Sequence, residues 1–269
     1  MAAGAYATLV TSADYALGAL ALARSLKAVG ARAPLVVLAV RDVDGLEALA
    51  REGAHVEFVE PLPLSDAFRA RHDRDALHVR SPFTKGGKPD FHTPLDNFCK
   101  LRLWQLEAFE RVVFLDADTL VVKNVDRLLA YPEFSAAPNV YESLADFHRL
   151  NSGVFVARPD PGTFDAMLAR LDAPEAYWRR TDQTFLETFF PDWHGLPWTF
   201  NALQYLWFNL PGLWHGQSIR VIHYQYEKPW QPEHPKAEQL RPLIELWHRV
   251  LDGGGIPESL PEPVAPPAP

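Results

Sequence analysis

The chain alternates between short apolar runs and longer stretches in which apolar residues recur every three or four positions. Runs typical of strands buried on both faces occupy residues 6–10, 35–40 and 112–115. Leucines recur at roughly helical spacing between residues 14 and 29, and Gly30 suits the end of that helix. Because strands and helices alternate, the sequence predicts an α/β fold with a Rossmann-like β-α-β sheet.

The same patterns predict further elements. Additional strands are expected at residues 56–59, 134–137, 153–156 and 219–223. Additional helices are expected at residues 44–51, 95–109, 125–129, 163–171, 181–190 (with Thr181 as cap) and 235–250. We expect residues 1–252 to form one domain and residues 253–269, rich in Gly and Pro, to form a flexible tail. Residues 61–94 are irregular and fit either a solvated loop or a flap over an active site.

The most informative stretch follows the apolar run at residues 112–115. It reads Asp116-Ala117-Asp118, and alternate residues of a strand project to the same side. Two carboxylates at the carboxyl end of a strand could hold a divalent cation and a phosphorylated ligand. The simpler interpretation is a strand-to-turn junction, since Asp is common in turns. The pattern alone does not separate the two.

Composition narrows the function classes. The formal net charge is −8 and the pI is about 5.7, which argues against a nucleic-acid partner. A single cysteine, Cys99, allows neither an internal disulfide nor a Cys-based zinc site, and we expect it to be a small buried apolar residue. We expect no signal peptide before the first strand, no membrane span and a cytoplasmic location. A homodimer is left open.

Several separated elements together resemble a known family. They are Thr8-Leu9-Val10-Thr11 with Tyr15, Lys100, Asp116-Ala117-Asp118 with Asn124 and Asp126, Asn151-Ser152-Gly153, Asp182-Gln183, and His223 with Lys228-Pro229-Trp230. In this order and spacing they resemble family-8 glycosyltransferases, the group that contains glycogenin and galactinol synthase. The resemblance covers about residues 5–231. It implies a GT-A fold, a mixed and mostly parallel sheet flanked by helices, and retaining transfer of a hexose from a UDP-sugar with Mn²⁺.

The resemblance also implies roles for individual residues. Asp116, Asp118 and His223 would hold the metal, with Ala117 between the carboxylates, and Lys228 would grip the diphosphate. Leu9, Thr11 and Tyr15 would line the uracil pocket, and Lys100 would reach the donor. Asn151 and Ser152 would contact the donor sugar or acceptor, and Asp182 and Gln183 would lie by the anomeric carbon. Two carboxylates with one imidazole favour Mn²⁺, although Mg²⁺ is an alternative.

Each of these residues also has a plainer interpretation. His223 could be a strand-end histidine bonded to its neighbours, Lys228 a surface lysine, Lys100 part of a solvated helix face and Tyr15 a core residue. Asn151 could form a turn, and Asp182 could be a carboxylate favoured by a helix N-terminus. One departure from the family stands out: no glycine lies between His223 and Lys228, so this loop must turn without the most permissive residue.

The amino-acid sequence leaves several alternatives for mechanism and function open. Asp182 could form a glycosyl-enzyme, or the acceptor could enter on the face that the diphosphate leaves. The aromatic segment at residues 193–214 could be an acceptor groove or a packed core. Competing functions are a haloacid-dehalogenase-type phosphatase, whose nucleophile motif also reads D-x-D, and a non-catalytic binder of nucleotide sugars. The acceptor, the donor sugar and any self-glycosylation at Tyr205 are not specified by the sequence.

Overall fold

The computed structural model describes residues 4–80, 93–140, 142–231 and 233–263. Its strands are β1 (Ala5–Val10), β2 (Leu35–Ala39), β3 (His55–Phe58), β4 (Val112–Leu115), β5 (Thr119–Val121), β6 (Ser135–Pro138), β7 (Leu150–Ala157), β8 (His194–Gly195), β9 (Ala202–Leu203) and β10 (Val221–His223). Its α-helices are α1 (Ala13–Ala28), α2 (Leu46–Arg51), α3 (Asp66–His72), α4 (Arg74–Arg80), α5 (Pro94–Asn97), α6 (Pro161–Leu171), α7 (Asp182–Phe189), α8 (Leu206–Asn209) and α9 (Ala237–Leu251).

In the part of the chain that the structure describes, seven strands form one mixed sheet in the order β3-β2-β1-β4-β7-β6-β8. The first four are parallel, and β7 runs antiparallel to both β4 and β6. The central strands β1, β2, β4 and β7 are buried along their whole length, as their continuous apolar runs predict. The predicted Rossmann-like, mostly parallel sheet is therefore confirmed.

A second, three-stranded sheet has the order β5-β10-β9. The chain leaves β4 of the large sheet, turns through residues 116–118 and enters β5 of the small sheet. Beneath the small sheet, a core cluster contains Trp207, Trp214 and Trp247. Trp214 is only 2 % exposed, so this part of the aromatic segment packs as core, and the groove interpretation is wrong for it.

The helix ends show how local sequence fixes the elements. Ser12 caps α1 by accepting from the Tyr15 backbone N–H, and Gly30 ends the helix in the left-handed conformation at φ +67°, as predicted. Asp160 caps α6 by accepting from Thr163 N–H. Thr181 is the N-cap residue of α7, as predicted, but its side chain makes no capping hydrogen bond. Its hydroxyl donates to Asp182 instead.

Three predicted segments differ from expectation. Residues 95–109 do not form one α-helix, because the short α5 is followed by a 3₁₀ helix at Phe98–Gln105. Residues 61–94 contain α3 and α4, while residues 81–92 lie outside the described part. In the segment expected to be a tail, Leu260 is buried and Trp214 Nε1 donates to the Pro261 carbonyl. Residues 264–269 lie outside the described part.

Candidate active site

The Asp116–Asp118 segment forms the turn between β4 and β5. Asp116 N–H donates to the Gly153 carbonyl on β7, and Thr119 N–H donates back to the Asp116 carbonyl, which closes the turn. Helix α1 lies close above it, since a Cβ on Gly18 would stand 2.6 Å from the Ala117 carbonyl oxygen. The two carboxylates are thus presented by a tightly held turn at the carboxyl end of a buried strand.

His223 ends β10 and completes the cluster. Its Nε2 lies 3.3 Å from Asp118 Oδ1 and 3.9 Å from Asp116 Oδ2. One potential ligand atom from each of the three residues lies within 4.8 Å of the others. Antiparallel pairing of β10 with β5 opposes His223 to Thr119, which follows Asp118 directly. The small sheet therefore brings together residues that are more than a hundred positions apart in sequence.

A chain of amides orients the His223 ring. Gly153 N–H donates to Asn151 Oδ1 at 2.9 Å, so that atom must be the acceptor oxygen. Asn201 Nδ2 donates to the same oxygen at 2.8 Å, which turns Asn201 Oδ1 toward His223 Nδ1 at 2.9 Å. His223 Nδ1 therefore carries a proton, and Nε2 faces the two carboxylates. Such outer hydrogen bonds commonly orient metal-binding histidines.

Two buried lysines balance the carboxylates. Lys100, 4 % exposed, lies 3.0 Å from Asp116 Oδ1 and donates to Asp182 Oδ2 at 2.8 Å and to the Ser152 carbonyl at 3.2 Å. Lys228, 2 % exposed, pairs with Asp118 Oδ2 and donates to the Tyr224 carbonyl at 2.9 Å. Neither lysine lies on a solvated surface, so both plainer interpretations are wrong.

The pKa values follow from these contacts. Burial disfavours a charged Lys100, but Asp116 and Asp182 outweigh it and raise the pKa of the amine. Burial also opposes a charged Asp118, yet Lys228 and His223 hold the pKa of that carboxyl well below its usual range. For Asp116, burial raises the pKa, and the nearby charge of Asp118 adds to the effect against the opposition of Lys100. The carboxylate pair is thus electrostatically crowded.

Asp182 is held on every side. Its Oδ2 accepts from Lys100 at 2.8 Å and from Ser152 Oγ at 2.7 Å, and its Oδ1 accepts from Thr181 Oγ1 at 2.9 Å. Thr181 has φ +50° and ψ −128°, a region that costs a β-branched residue about 1–3 kcal/mol. Asn151 lies within β7 rather than in a turn, so its turn interpretation is wrong.

These groups line one cleft that is open to solvent. Every residue that the sequence proposed for the site lines it: Leu9, Thr11, Tyr15, Lys100, Asp116, Ala117, Asp118, Asn151, Ser152, Asp182, Gln183, His223 and Lys228. Tyr15 packs edge-on against Trp230, with ring centroids 6.1 Å apart, and burial raises its pKa. Gln183 presents a buried Nε2 that has no hydrogen-bond partner in the described part of the chain.

Sequence reasoning missed other residues of the cleft. They include Asn97, Asn139, Arg179, Arg180, Leu203, Gln225 and Tyr226. Arg179 and Arg180 had a usable signal, since they directly precede the Asp182-Gln183 pair. Asn201 had none, because it lies in the aromatic segment and its function depends on a contact across 50 residues.

The loop between His223 and Lys228 turns without glycine because Tyr226 adopts the left-handed conformation at φ +64°. A non-glycine residue there costs about 1–2 kcal/mol. Gln204 stabilises the loop: its Nε2 donates to the carbonyls of Gln225 at 2.6 Å and Glu227 at 2.9 Å. The departure from the family pattern is thus accommodated by backbone strain and a buried amide.

The donor set fits a hard divalent cation. Two carboxylates and one imidazole suit Mn²⁺, and the amide chain leaves Nε2 of His223 available as a ligand. A cation would also relieve the electrostatic repulsion between Asp116 and Asp118.

Within the described residues, no helix is long and apolar enough to span a bilayer.

Comparisons with known proteins agree with this geometry. The human Glycogenin-1 is 32% identical over 247 residues, which cover 88% of this chain and 65% of that protein. UDP-glucuronate:xylan alpha-glucuronosyltransferase 1 of Arabidopsis thaliana is 30% identical over 237 residues, which cover 84% of this chain and 32% of that protein. The chain thus spans about a third of the length of this relative.

The galactosyltransferase LgtC superposes with a TM-score of 0.62 at 15% identity, over 94% of this chain and 97% of that chain. This likeness confirms the predicted GT-A fold. The sequence profile of the family named Glycosyl transferase family 8 matches residues 7–233. Because that match covers most of the chain, the protein belongs to glycosyl transferase family 8.

Proposed function

We propose that this protein is a retaining hexosyltransferase that moves a sugar from a UDP-sugar donor to an acceptor, with Mn²⁺ held by Asp116, Asp118 and His223. One observation carries the proposal: these three residues, from two sheets, converge in a cleft whose buried lysines reach the same carboxylates. Such a cleft suits a diphosphate leaving group, whose negative charge rises as the sugar–phosphate bond breaks.

Each residue would have a distinct task. Bound there, the cation would act as a Lewis acid on the diphosphate. Lys228 would place a further positive charge at the same carboxylate, and a lysine ammonium suits phosphate. Tyr15, with Leu9 and Thr11, would form the flat pocket for uracil. Gln183 would use its unpartnered Nε2–H to donate to the donor sugar or the leaving oxygen.

The contacts of Asp182 favour one of the two retaining routes. Both acceptor sites of Asp182 Oδ2 are used, by Lys100 and Ser152, while Oδ1 accepts one hydrogen bond, from Thr181. The adjacent lysine charge lowers the nucleophilicity of the carboxylate. We therefore assign Asp182 to positioning and charge stabilisation at the anomeric carbon. The acceptor would then enter on the face that the diphosphate leaves.

Two alternatives are weaker. Family membership sets aside the phosphatase interpretation of the D-x-D motif. A non-catalytic binder would keep the donor site and lose the transfer step. It predicts metal-dependent UDP binding without UDP release.

Release of UDP from UDP-sugars, with and without Mn²⁺, tests the proposal. We expect Mn²⁺-dependent release by the wild-type protein and a loss of about 100-fold or more in Asp118→Asn, since the charge that holds the cation is gone. Asp165→Asn, on the exposed face of α6, is the matched control and should behave as wild type. Full activity of Asp118→Asn would refute the metal assignment, and UDP binding without release would identify a binder.

A further inference from the structure

Two arginines in the cleft have no ionic partner among the described residues. Arg179 and Arg180 both line it, yet neither forms an ion pair or a side-chain hydrogen bond in the described part of the chain. Nη1 of Arg180 is buried and has no hydrogen-bond partner there. The lysines of the cleft differ, because Lys100 and Lys228 are each engaged by aspartates. A buried guanidinium N–H without a partner is costly unless a ligand satisfies it.

The segment that carries these arginines is held in place. Trp178 N–H donates to Nε2 of His72 at 2.8 Å, and Arg71 Nε donates to the Ala176 carbonyl at 3.1 Å. At the other end, Arg180 N–H donates to Thr184 Oγ1 at 3.0 Å. The guanidinium groups therefore project from an anchored backbone, as a specificity contact requires.

The two arginines directly precede a strained residue, Thr181. Residues 179–183 are consecutive, and all of them line the cleft. Arg180 and Asp182 flank Thr181, whose φ is +50°, and both contribute to the same cavity. In the proposed site Asp182 would lie at the anomeric carbon, and Arg180, two residues before it in the same cleft lining, would then lie on the sugar side.

The charged residues of the described cleft lining leave one positive charge to be matched. Its described lining contains three aspartates against two lysines and two arginines, a balance of +1 with His223 neutral. A divalent cation and the two negative charges of a diphosphate diester cancel each other. A donor with a neutral sugar would leave the +1 in place, whereas one further carboxylate on the sugar would neutralise it.

We propose that Arg179 and Arg180 select a donor whose sugar carries a carboxylate, that is, a nucleoside diphosphate uronate. This inference rests on the proposed transferase function and names its donor class. A guanidinium fork matches the geometry of a carboxylate in a bidentate contact, which a neutral hydroxymethyl group cannot reproduce. Arg180 makes the buried contact, and the more exposed Arg179 adds attraction at the cleft mouth.

Binding titrations with Mn²⁺ and three probes test the inference: UDP, UDP-glucose and UDP-glucuronate. We expect the wild-type protein to bind UDP-glucuronate about 10-fold or more tightly than UDP-glucose, as a charge-assisted bidentate contact provides. Arg180→Gln should remove this preference and leave UDP affinity within about twofold, while Arg180→Lys should keep part of it. Arg170→Gln, an exposed residue on α6, is the matched control. Melting temperatures verify that each variant folds, and Arg179→Gln provides a second, exposed variant.

The results of these titrations distinguish failure of the uronate inference from failure of the proposed transferase function. UDP binding with equal affinity for the two sugar nucleotides would overturn the uronate inference and leave the transferase proposal standing. An equal loss of UDP and UDP-glucuronate affinity in Arg180→Gln would assign the arginine to the diphosphate and also overturn it. A preference that persists in both glutamine variants would do the same. Absence of any Mn²⁺-dependent UDP binding would instead remove the proposed function itself.

Discussion

Gly153 lies against the His223 ring, and Gly153→Ala measures how closely the metal site is packed. A Cβ at this position would stand 2.4 Å from His223 Cε1, 2.5 Å from Nδ1 and 2.9 Å from Asn151 Oδ1. Ordinary van der Waals contact begins at 3.4 Å, so the ring must move by about 1 Å. That shift would take Nε2 away from Asp118 and strain the amide chain that orients the ring.

Two magnitudes follow from this displacement. Overpacking a filled site costs about 1–3 kcal/mol of unfolding free energy. Disturbing the outer hydrogen bonds of a metal ligand typically lowers metal affinity by about 10–100-fold. We therefore expect Gly153→Ala to fold with a lower melting temperature and to bind Mn²⁺ that much more weakly, whether or not a donor is present.

The assay is a Mn²⁺ titration followed by electron paramagnetic resonance or calorimetry, with thermal unfolding of the same samples. Gly195→Ala is the matched control, since a Cβ there meets nothing within 4 Å. It should retain wild-type affinity. A Gly153→Ala protein that folds and binds Mn²⁺ as wild type does would refute the reasoning, because His223 would then not be a ligand in the position described.

Four further predictions concern single residues. Lys228→Ala should weaken UDP binding by about 1.5–3 kcal/mol, as loss of a charge-assisted hydrogen bond does, and unchanged affinity would remove it from the site. In chemical denaturation, the unfolding free energy of Tyr226→Gly should exceed that of Tyr226→Ala by up to about 1 kcal/mol, because φ +64° strains alanine but not glycine. The reverse order of stabilities would argue against backbone strain at this position. Burial raises the pKa of the Cys99 thiol to about 11, so only about 0.1% of it is thiolate at pH 8. A disulfide reagent should therefore label Cys99 only after the protein unfolds. Rapid labelling of the native protein would contradict the burial of this thiol. Burial opposes ionisation of Asp126, but hydrogen bonds from Tyr6, Asn124 and Arg32 lower its pKa, so the ionised carboxylate contributes to stability above the unfolded pKa of about 3.9 and this contribution is lost as pH falls through the folded pKa. The difference in unfolding free energy between wild type and Asp126→Asn should therefore shrink below about pH 4. A pH-independent difference would count against this prediction.

The sequence predicted the residues whose chemistry is carried by type and local context. Asp116 and Asp118 follow an apolar run, and His223 ends another, so each falls at a strand end regardless of distant contacts. The alternating elements likewise fix the neighbours β1, β2 and β3, because β-α-β units commonly place consecutive strands side by side, whereas the pairing of β4 with β1 departs from sequence order.

The remaining features depend on contacts that local patterns do not encode. The need for glycine at position 153 arises from the His223 ring, 70 residues away. Asn201 orients that ring only because its amide is held by Asn151, 50 residues away on the large sheet. The 3₁₀ geometry at Phe98–Gln105 has the same apolar spacing that predicts an α-helix, so its tighter winding was not visible. Burial of Lys100 could not be read from a helix face, since it follows from Asp116 and Asp182 meeting on one side of it.

The turn at Asp116–Asp118 belongs to both sheets, because β4 enters it from the large sheet and β5 leaves it in the small one. Any rotation of the small sheet would bend that turn and separate the carboxylates from each other and from His223. Cation binding and rotation of the small sheet would then be thermodynamically linked. Each would change the free energy of the other by the same amount. The crossing of the chain from one sheet to the other and two of the three proposed cation ligands thus share the same three residues.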